Sequence, residues 1–224
     1  MGRPEFEGVS GRVMQHASVR LSGARRMASV RSNGRSSSGT STRTVVKTKF
    51  SFVRTKGGKV RSGSVQKAKD AAQYYGHRPD KDGVRQYREG FNAGREDLSK
   101  HEVARFIEEE ARKPESVYAY RMIMSPGAPM NEQQVKDWAR STLERHGISQ
   151  YVAFAHAGEH AHTEHAHVHV MFMRQEKLER DDFKALRVVG DDESDKQLKA
   201  EKELDRQKVQ ENTRERLSQI ELGG

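Results

Sequence analysis

Cysteine is absent from the 224-residue chain, which excludes disulfide bonds, thiolate metal sites and cysteine nucleophiles. The absence suits a reducing cytoplasm, where we expect the protein to reside. The chain contains no run of about eighteen apolar residues, so we expect no membrane insertion. Hydrophobic residues make up only 33% of the chain. This low share predicts that part of the chain lies outside any packed core.

Acidic residues are scarce in the first third of the chain. Residues 1–69 contain sixteen Lys and Arg but only two Glu, a net charge of +14, whereas the 25 basic and 30 acidic residues that follow sum to −5. A segment this basic indicates a polyanionic partner, most simply nucleic acid. The alternative is a solvated tail that has no partner.

Composition divides the chain into three parts. Residues 1–43 are rich in Arg, Ser and Gly and are predicted to form a basic, flexible N-terminal extension. Residues 44–189 carry strand and helix patterns and are predicted to fold as one domain, since a single core supports a segment of this size. Residues 190–224 are mostly charged and favour a C-terminal helix.

The element pattern of residues 44–189 predicts a fold class. Alternating or continuous apolar runs predict strands at residues 45–53, 117–124, 151–156 and 165–173. The first strand alternates Val46, Phe50 and Phe52 with lysines, which predicts one buried face. Helical spacing of apolar residues predicts helices at residues 64–75, 99–112 and 131–146. This order predicts an α/β (α+β) two-layer sandwich, with helices against a central antiparallel or mixed sheet.

Histidine is concentrated in one segment, because six of the ten histidines lie within residues 156–169. Side chains at i and i+2 of a strand share a face about 6.6 Å apart, so His167 and His169 can hold one metal ion. A third imidazole, His160, can reach the same ion from the preceding loop and leave an open position for catalysis. His156, His162 and His165 are then expected outside the ligand set. An adventitious metal-binding tract is the alternative.

Two adjacent tyrosines, Tyr74 and Tyr75, end the first predicted helix and precede Arg78. A phenol can attack a phosphodiester while a guanidinium neutralises the charge that builds on the phosphoryl oxygens. Tyrosines at helix ends are more often packing residues, so this pair alone favours a structural role.

The segment His160-Ala-His-Thr-Glu-His-Ala-His-Val-His169 resembles the metal motif of conjugative relaxases, His-x-Asp-x-x-His-Pro-His-x-His. These enzymes belong to the histidine-hydrophobic-histidine nucleases, and the MobP group, which includes agrobacterial T-DNA nickases, is the most similar. The resemblance implies that His160, His167 and His169 bind a divalent ion. Mg²⁺ or Mn²⁺ is expected and Zn²⁺ is possible, because imidazole suits transition metals better than Mg²⁺.

Three positions depart from the family pattern. His162 stands where the family usually has aspartate, which leaves Glu159 or Glu164 as the substitute acid, and we assign Glu164 to the catalytic group. Ala166 stands where the family usually has proline. Met173 stands where many relatives have asparagine.

The flanking motifs extend the resemblance to about residues 44–189. Tyr75-Gly-His-Arg78 is similar to the family's Tyr-x-x-Arg motif, which implies that Tyr75 is the nucleophile, with Tyr74 one register step away as the alternative. Tyr120-Arg-Met-Ile-Met-Ser-Pro126 is similar to the second motif, whose serine lies near the DNA backbone. The expected DNA contacts are Lys47, Lys49, Arg54 and Ser125.

The resemblance implies site- and strand-specific nicking and rejoining of DNA at a plasmid transfer origin. Metal-dependent attack by tyrosine would give a 5′-phosphotyrosyl intermediate during conjugation. Implied partners are single-stranded and duplex DNA at the origin, relaxosome accessory proteins and the coupling protein of a type IV secretion system. Every tyrosine precedes His160, which disfavours the related rolling-circle replication initiators and transposases. A catalytically silent DNA-binding accessory protein is the competing hypothesis.

Overall fold

The computed structural model describes residues 43–80, 82–85, 87–158 and 165–222, with side chains as far as residue 214. Most of the predicted N-terminal extension, together with Glu159, His160, His162 and Glu164, lies outside the described residues. The elements in chain order are β1 (Val45–Phe52), α1 (Ser62–Gly76), α2 (Lys100–Arg112), β2 (Tyr118–Ser125), α3 (Glu132–Arg145), β3 (Tyr151–His156), β4 (His167–Arg174) and α4 (Arg180–Leu222).

The four strands form one open sheet in the order β1-β2-β4-β3, and every neighbouring pair is antiparallel. The predicted α/β class with a central antiparallel or mixed sheet is therefore confirmed, and the observed pairing is antiparallel. Of the described strands, β1 is the last at one side, while an isolated bridge between Phe91 and Ala153 adds to the other side at β3.

Helices pack on both faces of the sheet, so the domain has a third layer in addition to the two that were expected. On one face Phe154 and Met171 pack with Ala72 of α1 and Ile107 of α2. On the other face the strands pack against α3 and α4, where the buried side chains include Trp138, Leu143 and Leu186. All residues of β3 are buried. A strand that is apolar on both faces needs a packed layer against each of them.

Side-chain caps place the starts of two helices close to their predicted positions. Ser99 caps α2 in a reciprocal arrangement with Glu102, and Asn131 caps α3 in the same way with Gln134. The N-cap residue of α1 is Arg61, which provides no side-chain cap. α1 accordingly begins at Ser62, two residues before the predicted start.

α4 is a single helix of 43 residues that begins ten residues before the predicted C-terminal helix. Its first part is fastened to the domain: the Trp138 indole donates to the carbonyl of Gly190 at 2.8 Å, and the Thr44 amide donates to Asp191 at 2.6 Å. From residue 199 to 214 every residue is exposed. Among the described residues, no helix combines the length and apolar character needed to cross a membrane.

Candidate active site

The end of α1 separates the two adjacent tyrosines. The ring of Tyr75 turns toward the sheet and stacks on the imidazole of His169, with centroids 4.0 Å apart and planes 11° apart. The ring of Tyr74 is 56% exposed and has the Arg78 guanidinium 5.7 Å from its centroid. Tyr75 therefore contacts the histidine segment, whereas Tyr74 is exposed to solvent.

Three imidazoles gather below Tyr75. His167 and His169 lie on the same face of β4, and His156 at the end of β3 is the register partner of His167. The ring centroid of His156 lies 5.1 Å from those of both other rings, and the centroids of His167 and His169 are 5.2 Å apart. All three side chains are buried.

Sequence reasoning left His156 outside the ligand set, whereas the structure makes it a full member of this cluster. A signal was available, because β3 and β4 are consecutive antiparallel strands. The last residue of the first strand then faces the first residue of the second. The register that joins His156 to His167 follows from that arrangement.

The spacing of His167 and His169 suits a shared ion. Two imidazoles whose nitrogens bind one ion at about 2.0–2.1 Å hold their ring centroids about 5 Å apart, and the observed separation is 5.2 Å. Within the described ranges, no group of three or more His, Cys, Asp or Glu is arranged to hold a metal ion. The third predicted ligand, His160, lies outside those ranges.

A cleft of about 450 Å³ opens over this cluster. Its lining includes Lys47, Arg78 and Ser125 together with His167 and His169. Strand register explains the convergence, since Lys47 on β1 pairs with Ile123 on β2, which pairs with His169 on β4. Directly paired residues point to the same face, which brings the strand residues of this lining to one cleft. Arg78 reaches the cleft from the connection that follows α1.

The ring of His167 is oriented by a backbone contact. Its Nδ1 lies 2.9 Å from the carbonyl oxygen of His165, and because a carbonyl can only accept, Nδ1 carries the proton. Burial lowers the pKa of His167, and the nearby positive charges of Arg78 and Arg88 lower it further, against the raising effect of the carbonyl. A neutral ring protonated at Nδ1 leaves Nε2 as the coordinating nitrogen.

Burial also raises the pKa of the Tyr75 phenol above its usual value of 10.0. The positive charge of Arg121 opposes this most strongly, and that of Arg78 adds to the opposition. Sequence reasoning missed Arg121, although its alternation with Ile123 and Ser125 along β2 predicts the face it shares with them. It also missed Arg88, whose guanidinium donates to the Arg78 carbonyl at 2.5 Å.

Two predicted DNA contacts lie away from the cleft. The Arg54 guanidinium donates to the carbonyls of Ala111, Arg112 and Lys113 at distances of 2.6 to 3.2 Å and so caps the C-terminal end of α2. Lys49 lies on the same face as Lys47 but pairs with Arg121, one step further from the histidines. Lys47 and Ser125, in contrast, line the cleft.

The family comparison covers the segment that builds this cleft. The sequence model of the family described as "Relaxase: MobA/VirD2-like, nuclease domain" matches residues 65–188, more than half of the chain. Comparison with curated proteins found no match. Comparison with solved structures found none either. Members of this family nick DNA at transfer origins in conjugation and generally use a divalent metal. The chain belongs to the MobA/VirD2-like relaxases.

Proposed function

We propose that this relaxase cuts one DNA strand with Tyr75 as the nucleophile. The observation that carries the proposal is the 4.0 Å stack of the Tyr75 ring on His169, which brings one phenol to the histidine cluster. The other tyrosine of the pair, Tyr74, is 56% exposed. A nucleophile held beside groups that can neutralise a phosphate supports transesterification as the reaction.

In the proposed step the Tyr75 oxygen bonds to the scissile phosphorus and the phosphorus to O3′ bond breaks. The phenol loses its proton, and the departing O3′ takes one up to leave a free 3′ hydroxyl. The product is a 5′-phosphotyrosyl link on the enzyme. Because one phosphodiester bond replaces another, the 3′ hydroxyl can attack the link later and rejoin the strand.

Positive charge around the cleft is proposed to hold the phosphate. Arg78 and Lys47 line the cleft, and Arg121 lies close enough to act on the charge of Tyr75. Guanidinium groups suit this task because they donate to two phosphoryl oxygens at once. We propose that Ser125, which lines the cleft and whose hydroxyl donates to the Ala166 carbonyl at 2.8 Å, turns this hydroxyl to donate to a phosphoryl oxygen when DNA is bound.

His167 and His169, with His160 as the third ligand, are proposed to hold the divalent ion. The 5.2 Å separation of the first two rings and the Nδ1 protonation of His167 support this assignment. When bound, the ion supplies positive charge to the scissile phosphate. His156 packs against both described ligands and is proposed to fix their orientation.

The test is the formation of a covalent adduct. The protein is incubated with single-stranded oligonucleotides that carry its transfer origin, with Mg²⁺ or Mn²⁺, and the products are separated on a denaturing gel. We expect a slower-migrating adduct that Tyr75→Phe abolishes and Tyr74→Phe retains. If Tyr74→Phe abolished the adduct and Tyr75→Phe retained it, the nucleophile would be Tyr74. DNA binding by the wild type without any adduct would favour the silent accessory protein.

Further partners follow from family membership as proposals. Relaxosome accessory proteins are expected to bring the origin to the cleft, and a coupling protein is expected to receive the covalent complex. Pull-down of the purified adduct, compared with that of DNA-free protein, tests whether these partners recognise the loaded enzyme.

A further inference from the structure

Aromatic side chains are exposed on the face of the sheet opposite the cleft. Phe50 and Phe52 on β1 are 41% and 45% exposed, and Tyr118 on β2 lies beside them, partly buried. The Phe52 and Tyr118 centroids are 5.1 Å apart, and those of Phe50 and Tyr118 are 5.5 Å apart. We call these three residues the aromatic patch.

The patch is exposed because the helical layer on this face stops short of it. Val46, near the start of the same strand, packs against the main core. Phe50 and Phe52 lie toward the other end of β1 and keep much of their surface in solvent. Burial was predicted for this face of β1 from its alternation, and for these two phenylalanines that prediction is wrong.

The aromatic patch packs against a buried and hydrogen-bonded tyrosine, Tyr120. Tyr120 lies beside Phe50 at 5.8 Å and stacks on Phe172 at 5.0 Å with the ring planes 10° apart. The Tyr120 hydroxyl accepts a hydrogen bond from the Leu178 amide at 2.7 Å, which fixes its position. Exposed aromatic rings on a rigid support present flat apolar faces at little conformational cost.

Positive charge accompanies the aromatic patch. The Lys177 ammonium lies 5.7 Å from the centroid of the Phe50 ring. Lys47 and Lys49 alternate with Phe50 along β1 and occupy the other face of the same strand. Aromatic rings beside lysines are the combination on which unpaired bases stack while cations contact the phosphates.

β1 connects the aromatic patch to the cleft. Lys47 lines the cleft, and Phe52 lies five residues further along the strand, a distance of about 17 Å. Among the described residues β1 is also the last strand on its side of the sheet, so a nucleic-acid strand leaving the cleft can pass around that edge. A few nucleotides would span this path.

We propose that the aromatic patch is a second binding site for single-stranded nucleic acid, where unpaired bases beside the scissile segment stack on Phe50 and Phe52. The proposal rests on the proposed function in one respect, which is that the scissile phosphate binds in the cleft. Stacking on the patch itself needs neither metal nor the nucleophile. The bases are recognised by their flat faces, so this site does not discriminate strongly among sequences.

The first experiment measures the affinity of the full chain for a labelled oligo(dT) by fluorescence anisotropy, without added metal. Phe50→Ala/Phe52→Ala is expected to weaken binding of a 20-mer about tenfold or more. The matched control is Val188→Ala/Val209→Ala, which removes two apolar side chains that are 62% and 65% exposed on α4. The control is expected to bind as the wild type does.

A second pair of variants separates stacking from apolar contact. Phe50→Tyr/Phe52→Tyr keeps both rings and is expected to retain affinity, whereas Phe50→Leu/Phe52→Leu keeps apolar volume and is expected to lose it. Equal affinity of the leucine variant and the wild type would overturn base stacking and leave a surface suited to a protein partner. Thermal unfolding of each variant shows whether a loss reflects misfolding.

A third measurement detects the stack directly. Phe50→Trp adds an exposed indole to a chain whose one tryptophan, Trp138, is fully buried. Oligo(dT) is expected to quench the new emission, while a polyphosphate chain without bases is expected to bind without quenching. Equal quenching by both polymers, or by neither, would overturn the proposal. The adduct assay with Tyr75 would remain valid in either case, so the two proposals can fail separately.

Discussion

At the scale of single residues, neighbours in sequence take different roles because a helix turns each side chain about 100° from the last. Tyr75 reaches His169, while Tyr74 stays in solvent with Arg78 beside its ring. Strand alternation predicted correctly that His167 and His169 share a face. The place of His156 depends on strand pairing, which joins residues distant in sequence and does not follow from alternation alone.

Arg78 is predicted to contribute to the chemical step. It lines the cleft and its charge acts on both His167 and Tyr75. Loss of one donor to a developing charge costs about 10²-fold in rate, so Arg78→Ala is expected to slow adduct formation by about that factor. The control is Arg85→Ala, which removes an exposed arginine from the following loop. Equal losses in both variants would reduce the role of Arg78 to general attraction of DNA.

At the scale of elements, the end of α1 depends on a close approach by the following loop. A Cβ on Gly76 would lie 2.6 Å from the Tyr87 ring and 3.3 Å from the Arg88 carbonyl oxygen. The Arg88 amide donates to the Gly76 carbonyl at 2.7 Å. This packing brings Arg88 beside Arg78, and nothing in the local sequence pattern predicted it. Contacts between an element and a distant loop are set by tertiary packing rather than by periodicity.

Gly76→Ala is therefore predicted to destabilise the protein by about 1–3 kcal/mol through overpacking, despite the higher helix propensity of alanine. It should also slow adduct formation, because displacement of residues 87 and 88 moves Arg88. Gly63→Ala is the matched control in the same helix, since a Cβ there meets nothing within 4 Å. Urea unfolding compares the two variants. Equal stability of the Gly76 and Gly63 variants would contradict the close approach.

The start of α2 is predicted to make stability depend on pH. Hydrogen bonds from Arg95 and then from the Ser99 amide and hydroxyl lower the pKa of Glu102 to about 2. Because the folded pKa lies below the ordinary value of 4.5, the contribution is complete above pH 4.5 and is lost as the pH falls toward 2. Glu102→Gln should lower the free energy of unfolding at pH 7 and have a smaller effect at pH 3.

Glu109→Gln on the same helix is the control for this measurement. Glu109 and its partner Arg105 are both exposed and 3.9 Å apart, so their pairing should contribute little. A difference between wild type and Glu102→Gln that is the same at pH 7 and pH 3 would contradict the assigned pKa.

At the scale of the whole molecule, the order of elements predicted the α/β class with an antiparallel or mixed sheet, because apolar patterns specify which elements form. The number of layers did not follow from that order. It depends on which face each helix covers, and the buried residues on both faces of β3 and β4 decide it. The same limit applies to α4, whose first ten residues include Leu186, fully buried in the core, and Phe183, packed against that core.

The basic first third of the chain is predicted to bind phosphates without regard to DNA sequence. Deletion of residues 1–42 removes seven Arg and two Glu. On single strands each phosphate that a protein neutralises adds about 0.7 to the log-log slope of affinity against salt, so the deletion should flatten the slope. Deletion of residues 199–224 removes six basic and six acidic residues and serves as the neutral control. Unchanged slopes for both deletions would mean that residues 1–42 have no role in DNA binding.

The most direct test of the central claim is the position of the covalent bond. The adduct is formed with an origin oligonucleotide, digested with protease and nuclease, and sequenced by fragmentation mass spectrometry. We expect a nucleotide attached through phosphate to Tyr75, with Tyr74 unmodified in the same peptide. Attachment to Tyr74, or to any other residue than Tyr75, would contradict this assignment.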